Sequence, residues 1–469
     1  MSLDRFAEVI TSEQQASLER AEAKARRLLE GRVVWNVNST ARGGGVAEML
    51  HSLIAYGRDA GADVRWVVVA GEADFFRVTK RIHNNLHGYA GDGGPLGDHE
   101  RQIYEAATMG AAEQLAELVR SGDVVLLHDP QTAGLVPPLV ELGAHVIWRA
   151  HIGLDLPNDL ARNAWSFLLP YVTPAAIYVF SRREFAWEGL DPARVEIVRP
   201  SIDPFSVKNQ QLLPAEVRGI LHATGLLADG GGASTFTRTD GTPGRVDRQS
   251  RRFEDGPLLE DVPVLTQVSR WDRLKDPLGV IEAFVSHIAP ASDAHLVIAG
   301  PDTAAVADDP EGAHVVEVCK ERWESLAPEV RSRVHLALIP MDDAEENAAI
   351  VNALQRWSTV VAQKSLAEGF GLTVSEAMWK ARPVVASRVG GIQDQIVDGD
   401  SGVLVEPRDL DGFGSAVRAL LHDPEHAHRM GANAMERVRH EFLGVRHLED
   451  YVDIFERVIE ARERAAPAP

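Results

Sequence analysis

The stretch "STVVAQKSLAEGFGLTVSEAMWKARPVVAS", residues 358–387, decides the fold. An apolar, β-branched run at 358–363 ends in a loop, a helix-length segment follows through Trp379, and a second apolar run opens at Pro383. Two such runs joined by a helix describe parallel strands, because only a crossover returns the chain in the same direction. The loop is unusual. It carries Glu368, then Gly369-Phe370-Gly371-Leu372-Thr373, with Glu376 eight residues after the first acid. Gly369 and Gly371 permit φ/ψ values closed to other residues and would let amides face a ligand. Thr373-Val374-Ser375-Glu376 fits a T-x-x-E capping box, which offers Glu376 a structural job at the helix start. Glu368 lies outside that box.

The same alternation runs outward from this stretch. The second half adds apolar runs at 262–269, 294–300 and 333–338; the first half has them at 32–37, 63–70, 123–128, 145–150 and 176–181. Continuous apolar strands separated by helices predict parallel sheets covered on both faces. Two such series predict an α/β protein of two doubly wound Rossmann-like domains facing an interdomain cleft, with ligand at the carboxyl edges of the strands. The predicted divisions are 1–215 for the first domain with a preceding N-terminal helix, and 216–261 for a linker or insertion. They continue with 262–445 for the second domain and 446–469 for a helix and tail packing back on the first. Residues 226–256, rich in Gly, Thr, Arg and Asp, read as a loop or interdomain insertion.

Composition bounds the function. At 469 residues, two domains are expected. A net charge of −21 argues against broad nucleic-acid binding and requires placed cations wherever an anion binds. Cys319 is the sole cysteine, so neither an intrachain disulfide nor a cysteine zinc cluster is expected. The N-terminal stretch reads as an amphipathic helix ended by Gly31, not a signal peptide, and no apolar run approaches a membrane span. A cytoplasmic protein with no membrane partner is expected.

Chemistry-bearing residues cluster at predicted strand ends. Gly43, Gly44 and Gly45 follow the first strand and precede a helix, an arrangement that favours an anion, although the same glycines also serve simply to turn the chain. Arg270 leaves the strand at 262–269 and Lys275 lies five residues on, placing two cations where a diphosphate is bound; solvated loop charges are the plainer reading. Asp276-Pro277 reads as an N-cap followed by proline at the first helical position. His151 follows the strand at 145–150, with Asp155 on the same loop. His83, Asn84 and His87 are expected in a polar loop suited to hydroxyl groups, and His128-Asp129 ends another strand. His, Asp and Glu do not recur at metal-ligand spacings, so no metal is assigned.

Together these elements resemble the retaining GT-B glycosyltransferases of family 4, whose E-x7-E motif matches Glu368 to Glu376. "WNVNSTARGGGVAEMLHSL", "HNNLHG", "HDPQTAGLVP", "WRAHI" and "QVSRWDRLKDPLGVI" are similar to the trehalose glycosyltransferring synthases, and retaining trehalose phosphorylases share much of this signature. The resemblance covers nearly the whole chain. It implies a GT-B fold and transfer of glucose from UDP-, ADP- or GDP-glucose to free glucose, with trehalose as the product. It implies no cofactor and no metal requirement. Arg270 and Lys275 would neutralise the donor diphosphate, helped by Gly44, Gly45 and the helix start at Leu372-Thr373. Glu368 would hold donor-sugar hydroxyls and Glu376 the ribose. His151 would donate a hydrogen bond near the forming bond, without becoming a covalent nucleophile. Asp155, Asn84 and His87, with His83, would hold the acceptor. A homodimer is compatible with the family. A nucleotide-dependent oxidoreductase and a non-catalytic sugar-nucleotide sensor are the other classes considered; the former lacks G-x-G-x-x-G after the first strand.

Overall fold

The computed structural model describes residues 2–41, 45–228, 231–303 and 310–465. The chain divides into two compact units, Met1–Ser201 with Phe442–Pro469, and Ile202–Glu441. The apolar runs all become strands because β-branched side chains suit a pleated sheet buried on both faces.

The first unit contains β1 (Val33–Asn38), β2 (Asp63–Val68), β3 (Val124–His128), β4 (His145–Ala150), β5 (Ile177–Phe180) and β6 (Val195–Ile197). They form one parallel sheet in the order β2-β1-β3-β4-β5-β6. Trp35, Val37, Leu127 and Trp148 face one apolar layer, and Val34, Leu126 and Ile147 face the other. The helix Gly444–Ala465 closes that second layer with Tyr451, Phe455, Val458 and Ile459. It packs beside the helix Ser12–Leu28, whose Lys24 pairs with Asp453 at 2.8 Å and Glu456 at 2.5 Å.

The second unit contains the hairpin β7 (Thr235–Thr237) and β8 (Pro243–Arg245), followed by β9 (Arg251–Phe253), β10 (Val264–Val268) and β11 (His295–Pro301). Its remaining strands are β12 (Val334–Ile339), β13 (Val360–Gln363), β14 (Val384–Ser387) and β15 (Val403–Val405). Its main sheet runs β15-β14-β13-β10-β11-β12-β9, parallel except for β9, which lies antiparallel to β12.

The linker expected at 216–261 is a correction. Those residues belong to the second unit, as do 202–215. The helix Pro214–Ala223 buries Val217, Ile220 and Leu221 in one apolar cluster with Ile350 and Leu354, and β9 extends the sheet. Phe236 and Val246 join that cluster from residues 226–256, whose composition reads as loop, and Leu258 joins from just beyond them. Three-residue strands carry too few alternating positions to be read locally. Among the described residues, no helix is long and apolar enough to cross a membrane.

Candidate active site

In the second unit the strand order reverses at β10. The chain builds β11 and β12 on one side of it, then returns to place β13 and β14 on the other. Loops diverging from the carboxyl ends of two such neighbours leave a crevice, the usual binding position in a doubly wound sheet. Lys275 comes from the loop after β10 and Glu368 from the loop after β13, and they form an ion pair. Both side chains are mostly buried, with exposures of 16% and 10%. Ser365 Oγ donates to Glu368 Oε2 at 3.2 Å, while Gln363 donates to Ser365 Oγ at 3.0 Å and accepts from Thr373 Oγ1 at 2.9 Å.

The two loops are stitched from below. Fully buried Gln267 accepts from the Lys364 amide at 3.1 Å and donates to the Lys275 carbonyl at 2.9 Å. Lys364 pairs with Asp276, whose carboxylate also caps the helix Pro277–Ala283 by accepting from the Gly279 amide. Asp276 holds the left-handed φ of 49°, a strained conformation for a non-glycine residue, where the 3₁₀ turn Arg273–Lys275 meets that helix. Arg270 remains 66% exposed and lies 3.3 Å from Asp272.

The capping box expected at Thr373–Glu376 is absent. The helix Leu372–Trp379 begins two residues earlier than that box requires, with Gly371 at its N-cap in the left-handed region, φ 81°. Thr373 is therefore inside the first turn, and its hydroxyl turns to Gln363. Glu376 is 3% exposed, with Oε1 3.7 Å from Lys208 Nζ and Oε2 buried without a hydrogen-bond partner. Beneath it, Lys380 donates to the Glu376 carbonyl at 3.0 Å and to Asn209 Oδ1 at 2.9 Å. Burial pushes the Lys380 amine well below its ordinary range, against the opposing pull of Glu376.

Gly369 also differs from expectation: it is not among the glycines with positive φ, and its carbonyl accepts from the Gly391 amide at 3.0 Å. Gly390 has no room for a side chain. A Cβ there would lie 1.7 Å from the Glu368 carbonyl oxygen. Phe370 is buried, and its carbonyl accepts from Gln395 at 2.6 Å. Leu372 is half-buried at the start of the helix.

In the first unit the corresponding reversal lies between β1 and β3. Gly43 and Gly44 lie outside the described residues; Gly45 opens the helix Gly45–Asp59. His151, just past β4, is 8% exposed; its amide donates to Asp129 Oδ1 at 2.8 Å, and its Nε2 lies 3.0 Å from His128 Nδ1. Asp129 has φ 66°, and burial lifts its carboxyl to about 6. Burial, reinforced by Arg149, depresses both imidazoles: His128 to about 3 and His151 well below its ordinary value. The sequence alone points to no role for Asn36, His128 or Asp129. The His-Asp pair ending β3 was the available signal, whereas Asn36 is hidden inside an apolar strand.

The expected polar loop at 81–88 is instead the end of a helix, Ala73–Leu86, with His87 at its C-cap. His83 and Asn84 lie in its last turn, and the His83 and His87 rings meet edge-on at 4.9 Å. Asn158 donates to the Gly88 carbonyl at 2.9 Å, bringing this helix end beside the loop that carries Asp155. Asp155 itself accepts from Arg182 at 2.6 Å.

Residues 36–187 match the family described as "Trehalose synthase, N-terminal domain", and residues 249–437 match "Glycosyl transferases group 1". The trehalose synthase of Pyrococcus horikoshii is 36% identical over 452 residues, covering 96% of this chain and 95% of the relative. The chain belongs to the trehalose synthase family. The trehalose phosphorylase of Pleurotus sajor-caju is 26% identical, covering 86% of this chain and 55% of that protein. Among solved structures, Anabaena HepE in complex with UDP and glucose has a TM-score of 0.63 at 13% identity, covering 91% of this chain and all of that one. The α,α-trehalose-phosphate synthase (UDP-forming) of Burkholderia vietnamiensis has a TM-score of 0.65 at 16% identity, covering 92% and 98%. The fold is GT-B.

As a member of this family the protein is a glycosyltransferase. Its second unit presents a carboxylate steadied by Lys275 and Ser365, an exposed guanidinium, a helix start and a second carboxylate with an oxygen to spare. Such a set can accept hydrogen bonds from hydroxyl groups while attracting a phosphate. Among the described residues, no group of three or more His, Cys, Asp or Glu is placed to hold a metal ion.

Proposed function

We propose that the protein is a retaining glucosyltransferase that makes α,α-trehalose from a nucleoside-diphosphate glucose and free glucose. The observation that carries this reading is the Lys275–Glu368 pair flanking the β10/β13 reversal, beside a buried Glu376 whose Oε2 lacks a partner. A ribose diol supplies two hydroxyl donors, and Glu376 has acceptor capacity to meet them. Glu368 then holds donor-sugar hydroxyls. Arg270 and Lys275 take the diphosphate, and Lys275 exchanges part of its contact with Glu368 for phosphate as the donor enters. The near-full-length likeness to trehalose synthases supports glucose as the sugar handled.

The step is a same-face displacement. The bond from glucose C1 to the phosphate oxygen breaks, and the bond from C1 to the acceptor oxygen forms on the same face. The acceptor proton passes to the departing phosphate oxygen, whose growing charge the two cations stabilise. No enzyme carboxylate becomes glycosylated, in contrast to the double displacement of retaining hydrolases. The reaction is reversible, so nucleoside diphosphate with trehalose regenerates the donor.

Protein incubated with UDP-, ADP- or GDP-glucose and glucose is expected to release nucleoside diphosphate and form a non-reducing disaccharide, with turnover unchanged by EDTA. Absence of that disaccharide with all three donors rejects the assignment. Phosphorolysis is the second reading, favoured by the likeness to a trehalose phosphorylase. Trehalose breakdown that requires inorganic phosphate and no nucleotide would select it.

A further inference from the structure

At the carboxyl edge of the first sheet, three side chains form one hydrogen-bonded line across three adjacent strands. Asn36 Oδ1, on β1, lies 3.2 Å from His128 Nε2, at the end of β3. His128 Nδ1 lies 3.0 Å from His151 Nε2, just past β4. The rings are nearly parallel, 19° apart, with centroids separated by 5.3 Å. All three residues are more than nine-tenths buried. Arg149 lies fully buried beside them, donating to His447 Nε2, the Tyr451 hydroxyl and the Val198 carbonyl. The loss of solvent, reinforced by this fixed cation, keeps the two imidazoles neutral.

A neutral imidazole carries one N–H and one lone pair, so a hydrogen-bonded pair of them has a direction. With Asn36 presenting its carbonyl oxygen, His128 must carry its proton on Nε2. His128 Nδ1 is then an acceptor, His151 carries its proton on Nε2 to meet it, and His151 Nδ1 retains a lone pair. Turning the Asn36 amide over reverses both bonds and leaves His151 with an Nδ1–H. The orientation of one amide therefore sets the hydrogen-bonding sense of a ring two residues along the line.

We propose that Asn36 and His128 are positioning residues that lock His151 in its Nε2–H tautomer, so that His151 meets a substrate hydroxyl as an acceptor through Nδ1. This reverses the donor role that family resemblance implies for the side chain. It rests on the family resemblance that places His151 beside the forming bond. Proton transfer is not involved: the lock selects which of two neutral forms is present.

The test uses the full chain labelled with ¹⁵N-histidine. At pH 7 the free enzyme is expected to show a protonated Nε2 and an unprotonated Nδ1 for both His151 and His128. Asn36→Asp, an acceptor whichever way its carboxylate turns, is expected to keep that pattern and to retain turnover within about threefold. His128→Phe keeps a planar aromatic ring but removes both ring nitrogens, and is expected to mix the His151 tautomers. It should lower kcat in proportion to the Nε2–H fraction that remains, about twofold for an even mixture, with donor KM nearly unchanged. A protonated Nδ1 or a charged ring on His151 in the wild type overturns the lock. Unchanged turnover in His151→Ala overturns the substrate role instead, and the spectra separate the two failures.

Discussion

Lys275 and Glu368 lie 93 residues apart and share an ion pair that neither loop determines alone. Lys275→Ala is expected to remove a charge contact to the leaving diphosphate and to leave Glu368 with Ser365 but no ion-pair partner, and Arg270→Ala to remove the second cation. Each should cost about 2.7–4 kcal/mol in the activation barrier, the range for losing one preorganised stabilising group. Steady-state kinetics check this, and a near-wild-type kcat in both variants contradicts it. Arg270→Ala should barely change thermal stability, since its side chain is 66% exposed. Glu376→Gln should weaken nucleotide binding at least about tenfold, the scale of one hydrogen bond to a charged group. Calorimetric titration measures it; a loss confined to melting temperature would restore a structural role. Arg270, Lys275 and Glu368 are legible in sequence because each follows the end of an apolar run. The T-x-x-E box misleads because Gly371 reaches φ 81° and starts the helix two residues before that pattern allows.

Elements decide how tightly the acidic loop is held. Gly390, with φ 48°, brings the turn after β14 against the Glu368 carbonyl at a distance that admits no Cβ. Gly390→Ala is expected to displace the Glu368 loop and to cost more than about 1 kcal/mol, as alanine does at an incompatible positive φ. Turnover should fall further than the melting temperature alone accounts for. Retention of full kcat in this variant removes Gly390 from the site. The glycine pair at 390–391 is visible in the sequence, but its target is not, because the contact depends on β13 and β14 being neighbours. The helix at Ala73–Leu86 teaches the converse: its polar last turn reads as loop, yet its earlier turns bury Phe75, Val78 and Ile82.

At the scale of the whole molecule, the C-terminal helix completes the first unit. Truncation after Glu441 removes Tyr451, Phe455, Val458 and Ile459 from the core and strips Arg149 of His447 and Tyr451. The truncated chain is expected to lose the folded first unit, seen as protease-sensitive residues 1–201 in limited proteolysis. Acid should also destabilise the protein. Burial holds His128 at about 3, beside Arg149, and His145 at about 4, beside Arg462, Arg32 and Glu463. It also holds His295 at about 4, beside His335 and Arg333. Unfolded histidines bind protons below about 6.5, so between pH 7 and 5 the unfolded state gains more protons and stability falls. His128 alone contributes a loss of about 2 kcal/mol by pH 5. Asp129, raised to about 6, has the opposite sign: its protonated native form is favoured as pH falls through that window. The histidines outnumber it, so the urea midpoint should be lower at pH 5 than at pH 7, and His128→Phe should reduce the difference. Equal midpoints contradict the assignment.

The amino-acid order by itself determined the alternation of strand and helix, the two parallel sheets and the cations and acids at strand ends. These follow from local apolar runs, whose burial is nearly independent of which run lies beside which. Tertiary structure decided the rest. It set the order of strands, drew residues 202–261 into the second unit, paired Lys275 with Glu368 and aligned Asn36, His128 and His151. Each of those depends on contacts between distant segments, and a buried polar group is satisfied by whichever strand the sheet places next to it.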